Sequence, residues 1–234
     1  MENPEEMDIK QLRRTCGNRP DYHYLSNPFG YEGEKEETNL LEETYTIIAG
    51  DELNSLNEAK SSQDWLEWCK AIDEELDLLK GMGTWELVEK PLDTITIPNK
   101  WTFIKKHNKA NQVIHHKAQL VVKGCVQHPG HEFMETYSPV VRPETLRACL
   151  ALVLVKGLKI KQMDIKGVYL NGILQETVYM KQPEGFEDGT GRVCKLIKTL
   201  YGLKQSGREW NKQLNEKLRN HGYKRLTSDP CAYV

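Results

Sequence analysis

The most informative segment of the sequence is Gln162-Met163-Asp164-Ile165-Lys166, which continues as Gly167-Val168-Tyr169-Leu170-Asn171-Gly172. Residues 159–164 favour a short strand that ends in the acid Asp164, and the glycines that follow favour a turn. A carboxylate at the junction of a strand and a turn can hold a hard divalent cation while the backbone bends around a substrate. An acid at a strand end is more often a turn former or a helix cap, so the flanking sequence has to decide between these interpretations.

Upstream of this stretch, the periodicity predicts one long helix and then a β-hairpin. The helix takes Ser62 as its N-cap, ends at Gly81 and Gly83, and has one apolar face, formed by Trp65, Trp68, Cys69, Ile72, Leu76 and Leu79. We interpret Glu74-Glu75 as part of the solvated face of this helix rather than as a catalytic pair. Residues 101–106 and 113–123 are predicted strands on either side of a polar turn at 107–111.

Nearer to Asp164 and beyond it, helices and strands are mixed. A helix that starts with Pro143 and ends at Gly157 is apolar nearly all round, so we expect it to be buried. Strands are predicted at residues 177–181 and 193–196, a helix at about 206–221, and the beginning of a further strand at 231–234. This order without strict alternation indicates the α+β class.

Charge is divided unevenly along the chain. Residues 1–99 contain 9 Lys and Arg against 23 Asp and Glu, a net charge of −14, whereas residues 100–234 contain 23 against 11, a net charge of +12. Residues 1–57 combine many acids with little apolar periodicity, and we expect an acidic, largely disordered leader there. The basic remainder suits a phosphate-rich partner, but a lysine-rich solvated surface would have the same composition, so charge alone does not decide.

Composition also indicates the cellular compartment of the protein. The longest apolar run, residues 148–155, is far too short to span a membrane, and the first residues are acidic and polar, unlike a secretory signal. The 6 cysteines include no Cys-x-x-Cys pair, which is typical of proteins in a reducing compartment. We therefore expect a cytoplasmic or nuclear protein without a signal peptide, a transmembrane segment or a membrane partner. The oligomeric state stays open.

Five blocks in one order resemble the copia-type retrotransposon reverse transcriptases, over most of residues 58–234. They are Thr84-Trp85-Glu86-Leu87-Val88, Lys117-Ala118-Gln119-Leu120-Val121-Val122-Lys123-Gly124, Glu135-Thr136-Tyr137-Ser138-Pro139-Val140-Val141-Arg142, the stretch 162–172 quoted above, and Leu200-Tyr201-Gly202-Leu203-Lys204-Gln205. The resemblance implies the right-hand polymerase fold, with a fingers-like helix and hairpin at 58–142 and a partial palm at 143–234. It also implies RNA-directed DNA synthesis on an RNA or DNA template-primer from dNTPs, by a mechanism that uses two Mg²⁺ ions.

The resemblance also implies a role for each matching residue. Asp164 would be the first metal ligand and catalytic carboxylate, with the Ile165 carbonyl beside it, and Tyr169 would lie under the incoming sugar and exclude a ribose 2′-hydroxyl. Lys117 would face the triphosphate as a point charge. The remaining nucleotide-facing or template-facing positions would be Gln119, Lys204 and Gln205.

Two departures from the family pattern lead to a further expectation. Gln119 stands where the family usually has Arg, and Gln offers no charge-assisted hydrogen bond to a phosphate. The family's other catalytic carboxylates form an adjacent Asp pair, and the 234 residues contain no Asp-Asp. Because one carboxylate cannot hold two Mg²⁺ ions, we expect a C-terminally truncated domain in which Mg²⁺ is not productively bound and which is inactive alone.

Two alternatives to a polymerase domain remain. The chain could be a non-catalytic nucleic-acid-binding fragment that uses the basic face of residues 100–234, or an inert fragment that neither binds nucleic acid nor folds well. Cys125, His128 and His131 have ligand-like spacing, but they lack the fourth ligand and the closed spacing of a zinc site, and we interpret them as an ordinary loop.

Overall fold

The structure, a computed structural model, describes residues 52–92 and 94–234. Most of the predicted leader lies outside these residues. Its last part, residues 52–57, forms strand β1 (Glu52–Leu53) and the start of helix α1 (Leu56–Ser61). Ser55 caps α1 by accepting a hydrogen bond from the Glu58 N–H on its side-chain oxygen. Leu56 is 2% exposed and belongs to the core, so residues 52–57 are part of the folded domain.

Helix α2 (Trp65–Gly81) is the long helix that the periodicity predicted. Its N-cap is Asp64 rather than Ser62, because Ser62 ends the preceding α1, where its hydroxyl donates to the Ala59 carbonyl. Trp68, Ile72 and Leu79 are buried along the predicted apolar face. The helix therefore packs a Trp-containing stripe into the core, as predicted.

The predicted β-hairpin is confirmed. Strands β3 (Asn99–His107) and β4 (Val113–Val122) pair antiparallel, with Trp101 opposite Leu120, and β1 adds to the other side of β3. Trp101, Phe103, Ala118 and Leu120 alternate toward the core along the two strands. This sheet has the order β1-β3-β4, which leaves β4 at an edge among the described strands.

A second antiparallel sheet has the order β2-β6-β5. Its strands are β2 (Trp85–Val88), β5 (Ile173–Met180) and β6 (Val193–Lys198), so it draws on both of the predicted regions 58–142 and 143–234. Ile97 connects the two sheets, since its N–H donates to the Tyr179 carbonyl and its carbonyl accepts from the Lys181 N–H. The buried side chains of both sheets form one hydrophobic core. The mixture of helices with antiparallel strands confirms the α+β class.

Helix α3 (Pro143–Lys156) has the predicted bounds and ends at Gly157 in the left-handed conformation. The prediction that it is buried is wrong: no residue of α3 is buried, and Leu154 and Val155 are 82% and 84% exposed. An apolar helix is buried only where another element covers it, and the described part of the chain does not cover α3. Its start is held instead by Asp229, whose carboxylate accepts a hydrogen bond from the Arg142 N–H at 2.9 Å.

Two predicted strands do not form. Residues 158–165, which include the predicted strand at 159–164, have no regular structure, because none of the described strands pairs with them and an unpaired strand is not stable by itself. Residues 231–234 form an isolated antiparallel bridge, Tyr233 with Arg225, instead of a regular strand. Backbone hydrogen bonds between Lys224 and Val234, and from the Leu226 N–H to the Ala232 carbonyl, lie on either side of this bridge. Helix α4 (Ser206–Asn220) is confirmed with nearly the predicted bounds. Among the described helices, none is long and apolar enough to cross a bilayer.

Candidate functional site

Asp164 is exposed and lies at the end of the irregular segment 158–165, immediately before a tight turn. Gly167 takes φ +58 in this turn, and a short 3₁₀ turn at Val168–Asn171 follows. Leu170 is 0% exposed and anchors the turn in the core. The loop that carries Asp164 is therefore anchored from its C-terminal side.

Two hydrogen bonds from Thr199, the residue that follows strand β6, hold the same loop. The Thr199 hydroxyl donates to the Tyr169 carbonyl, and the Thr199 N–H donates to the Gly172 carbonyl at 2.9 Å. Gly172 has no space for a side chain, since a Cβ there would collide with the Thr199 hydroxyl. These contacts place the Tyr169 side chain beside the loop that follows β6.

Tyr169 meets Tyr201, which comes from the block 200–205. Their ring centroids are 5.3 Å apart in an edge-to-face arrangement. Burial raises the pKa of Tyr201, and the charges of Glu75, Tyr169 and Asp164 raise it further. Asp164 and the two tyrosines therefore share one electrostatic neighbourhood.

Lys117 lies half-buried on β4 and faces the same neighbourhood. Burial lowers the pKa of Lys117, and the nearby charge of Lys106 lowers it further, while Glu75 and Asp164 act in the opposite direction. Gln119 is two residues along β4 and so on the same side of the strand. The structure thus brings together Asp164, Tyr169 and Lys117, three of the residues predicted for the site.

Gln205 and Lys204 are placed differently. Gln205 is 0% exposed; its side-chain N–H donates to the Glu132 carbonyl at 2.7 Å, and its side-chain oxygen accepts from Gln127 at 3.0 Å. Lys204 is exposed, and its ammonium lies 4.7 Å from the centroid of the Phe133 ring. The predicted contact of Gln205 with a nucleotide stays a prediction. In this structure the buried Gln205 amide holds the loop at residues 127–132 through these two hydrogen bonds. Ile165 is half-buried next to Asp164.

Two glycines allow the block 200–205 to dock directly onto the end of the hairpin. The Val122 N–H donates to the Tyr201 carbonyl at 2.8 Å. Gly202 has φ +93, and a Cβ at this position would collide with the Val122 carbonyl oxygen. A Cβ on Gly124 would collide with the Gly202 carbonyl oxygen in the same way. The relative position of Lys117 and Tyr201 depends on this backbone crossing.

Glu75 is a member of the neighbourhood that the sequence interpretation missed. The prediction of a solvated Glu74-Glu75 face holds for Glu74, which is exposed, but is wrong for Glu75, which is 7% exposed. Its carboxylate accepts a hydrogen bond from the Leu120 N–H at 3.3 Å. Burial raises the pKa of Glu75 to about 7, while this hydrogen bond and the charge of Lys117 act against the rise.

A signal for the burial of Glu75 was present in the sequence. It follows Ile72 by three residues and precedes Leu79 by four, so it occupies a position within the apolar stripe of α2. An acid within such a stripe needs a buried donor or cation, and the sequence does not name one. The partner comes from β4, 45 residues further along the chain.

Within residues 52–92 and 94–234, no group of three or more His, Cys, Asp or Glu side chains is arranged to hold a metal ion. The predicted loop at Cys125, His128 and His131 is organised by Glu132, whose carboxylate accepts from the His128 N–H at 2.7 Å. Asp164 without two further carboxylates does not fit a pair of Mg²⁺ ions, which need near-octahedral oxygen shells.

Comparisons with known proteins agree with the five blocks. Residues 82–234 match the family described as reverse transcriptase (RNA-dependent DNA polymerase). The chain is 40% identical over 192 residues to the retrovirus-related Pol polyprotein from transposon TNT 1-94 of Nicotiana tabacum, which covers 81% of this chain and 14% of that protein. It is 38% identical over 170 residues to the corresponding polyprotein from transposon RE1 of Arabidopsis thaliana, covering 71% of this chain and 12% of that protein. No solved structure matches the chain.

Proposed function

The chain belongs to the reverse transcriptase (RNA-dependent DNA polymerase) family, and from this premise we propose that it forms the fingers and the front of the palm of a copia-type polymerase domain. The α2 helix and the β3–β4 hairpin would be the fingers, and the segment from α3 to α4 the partial palm. The chain spans 14% and 12% of the two relatives described above, so most of each polyprotein lies outside this stretch.

The observation that supports the proposal best is the shared neighbourhood of Lys117, Asp164 and the Tyr169–Tyr201 pair. These residues are up to 84 positions apart in sequence and carry the chemistry that a nucleotide needs: a cation for phosphates, an exposed carboxylate, and a ring for the sugar. In this proposal Lys117 faces the triphosphate of a dNTP and Asp164 is the first ligand of a divalent metal. Tyr169 lies under the sugar, where its ring excludes a 2′-hydroxyl.

Nucleotide binding can be tested without any polymerase activity. The purified chain is titrated with a fluorescent dATP analogue, and the dissociation constants of Lys117→Ala and of Lys80→Ala, an exposed lysine on α2, are compared with the wild type. Loss of a charge-assisted phosphate contact should weaken binding about tenfold in Lys117→Ala. Lys80→Ala should bind as the wild type does. Equal affinities of both variants would contradict the assignment of Lys117.

For synthesis itself, we propose that the polypeptide of these 234 residues does not extend a primer. It contains no adjacent Asp pair, and the two-metal mechanism needs carboxylates beyond Asp164. The test is primer extension with the purified chain on an RNA and on a DNA template with Mg²⁺, beside the complete polymerase domain of a relative as the active control. Extension above background that is lost in Asp164→Asn would refute the proposal.

A second function, non-catalytic binding of nucleic acid, is favoured by the net charge of +12 in residues 100–234. Binding through phosphates releases counterions, so affinity for a primer–template should fall steeply between about 50 mM and about 200 mM salt. Fluorescence anisotropy with a labelled duplex measures this slope. Salt-dependent binding without extension would support this function, and the absence of binding at low salt would exclude it.

A further inference from the structure

Two buried glutamines connect the loop at residues 127–132 to the block 200–205. Gln127 is 4% exposed and Gln205 is 0% exposed, and the side-chain N–H of Gln127 donates to the side-chain oxygen of Gln205 at 3.0 Å. On one side of this pair, the backbone N–H of Lys204 donates to the Gln127 side-chain oxygen at 2.9 Å. On the other side, the Gln205 side-chain N–H donates to the Glu132 backbone carbonyl at 2.7 Å. We call these three hydrogen bonds the amide relay.

The two ends of the amide relay determine how both side-chain amides are oriented. A backbone N–H can only donate a hydrogen bond, and a backbone carbonyl can only accept one. The Lys204 N–H therefore needs the oxygen of Gln127. The Glu132 carbonyl needs the nitrogen of Gln205. The Gln127 nitrogen, which also lies 3.5 Å from the Glu132 carbonyl, then donates to the Gln205 oxygen. Turning either amide over would place two oxygens or two N–H groups against each other in a buried site.

The side chain of Lys204 is held by the same loop. Its ammonium donates to the Gln127 backbone carbonyl at 3.4 Å and lies 4.7 Å from the centroid of the Phe133 ring. Together with the relay bond to its backbone N–H, these contacts fix Lys204 at both ends of the residue. Lys204 is nevertheless exposed, so an anionic partner can reach the ammonium. A side chain that is already ordered loses less conformational entropy when it binds.

We propose that Gln127 is a positioning residue for Lys204: the amide relay fixes the block 200–205 against the loop at residues 127–133 and so holds the Lys204 ammonium where it binds a nucleic-acid phosphate. The inference rests on the nucleic-acid binding proposed above. It gives a role to Gln127, which lies outside the five blocks. It also explains why two glutamines are buried side by side, since buried amides are tolerated only when their polar atoms are hydrogen-bonded.

A comparison of single and double variants tests whether Gln127 acts through Lys204. Fluorescence anisotropy with a labelled primer–template duplex gives the dissociation constants of the wild type, Gln127→Met, Lys204→Ala and the double variant. Methionine is nearly as long as glutamine but makes neither side-chain hydrogen bond, whereas Lys204→Ala removes the ammonium and leaves the backbone N–H in the relay.

Each single variant should weaken binding about three- to tenfold, because one phosphate contact is lost or is no longer preorganised. The double variant should bind as Lys204→Ala does, since Gln127 has no further effect once the ammonium is gone. A further loss of the same size in the double variant would overturn the proposal, because Gln127 would then act independently of Lys204.

The amide relay also predicts a pH dependence in Gln127→Glu, which keeps the inference testable if Gln127→Met does not fold. An ionised carboxylate cannot donate, so one of its oxygens would face the Gln205 oxygen, whereas a protonated carboxyl group donates and restores the relay. Because burial favours the protonated form, the affinity of Gln127→Glu relative to the wild type should rise between about pH 9 and about pH 6.

The control for this pH dependence is Gln175→Glu, which adds the same charge at an exposed position on β5. Its affinity relative to the wild type should stay constant over the same pH range. A Gln127→Glu affinity that stays equally far below the wild type at every pH would contradict the relay.

Hydrogen exchange of backbone amides, followed by NMR, measures the amide relay without a ligand. The Lys204 amide should exchange at least about tenfold faster in Gln127→Met, because it has lost its acceptor. The Val122 amide, which donates to the Tyr201 carbonyl, should keep its wild-type rate and so show that the block 200–205 stays docked. An unchanged exchange rate of the Lys204 amide would overturn the proposal.

These measurements separate the inference from the proposed function. If the wild type does not bind the duplex, faster exchange of the Lys204 amide in Gln127→Met would leave the amide relay intact and contradict nucleic-acid binding. If Lys204→Ala weakens binding and Gln127→Met does not, nucleic-acid binding is supported and the positioning role of Gln127 is contradicted.

Discussion

Replacing Glu75 by Gln should change how the stability of the fold depends on pH. The pKa of Glu75 rises from its ordinary value of 4.5 to about 7 on folding, because the carboxyl group is buried against β4. A group whose pKa is raised by folding stabilises the folded state fully below its unfolded value, and this stabilisation is lost as the pH rises through the folded value. The rise from 4.5 to about 7 corresponds to about 3 kcal/mol, most of it between about pH 5 and about pH 8.

The assay is urea unfolding followed by tryptophan fluorescence, since Trp68 and Trp101 are fully buried. The free energy of unfolding is measured at about pH 5 and about pH 8 for the wild type and for Glu75→Gln, and the difference between the two proteins is compared across the pH range. Glu75→Gln should gain about 2 to 3 kcal/mol relative to the wild type on going to the higher pH. Taking the difference removes the contributions of all other titrating groups that the two proteins share.

The control is Glu74→Gln, because Glu74 is exposed on the same helix. Its stability relative to the wild type should stay constant over the range. A constant difference for Glu75→Gln as well would contradict the prediction, because it would mean that the Glu75 carboxyl group is as well solvated in the folded chain as in the unfolded one.

Three further changes test other parts of the fold. Gly202→Ala should lower the free energy of unfolding by at least about 2 kcal/mol, because the new Cβ would collide with a backbone carbonyl oxygen and Gly202 has φ +93. The measurement is the melting temperature. The control is Gly81→Ala, which has open space around it and should be neutral or stabilising. Asp229→Ala should lower the free energy of unfolding by about 1 to 2 kcal/mol at neutral pH and reduce the helical circular dichroism signal, because the start of α3 loses its acceptor. Hydrogen bonds hold the pKa of Asp229 below its ordinary 3.8, so this contribution is lost on acidification, and unchanged stability at neutral pH would contradict the capping role. Iodoacetamide should modify the exposed Cys125 in the folded chain and spare Cys194, whose pKa burial raises to about 12, until denaturant is added; equal labelling of the two in the folded chain would contradict the buried position.

The hairpin and the Trp-containing helix were predictable because each is specified by local periodicity. Alternation over β3 and β4 and the helical spacing of Trp68, Ile72 and Leu79 indicate which side of each element is apolar. The glycine at 157 likewise marks the end of α3, since φ +61 suits a residue without a side chain. In these cases the sequence and the structure agree because neighbours along the chain supply the interactions.

The same local patterns gave wrong predictions of burial for α3 and for Glu75, and the two errors have opposite signs. The apolar α3 was predicted to be buried and is exposed, because no other part of the described chain lies over it. The acidic Glu75 was predicted to be solvated and is buried, because β4 covers its position and offers the Leu120 N–H. In both cases the local pattern indicated whether a side chain is polar or apolar. Its burial depended instead on whether an element from far along the chain packs over it.

The family, the α+β class and most helix and strand positions could be predicted from the sequence, as could the candidate residues Asp164, Tyr169 and Lys117. The sequence did not indicate that these three residues share a neighbourhood with Tyr201 and Glu75, or that two loops come into backbone contact at Gly124 and Gly202. The physical reason is the range of the interactions. Periodicity and turn chemistry act between residues a few positions apart, whereas burial, edge pairing and the charge of a half-buried lysine depend on groups that folding brings together from far along the chain.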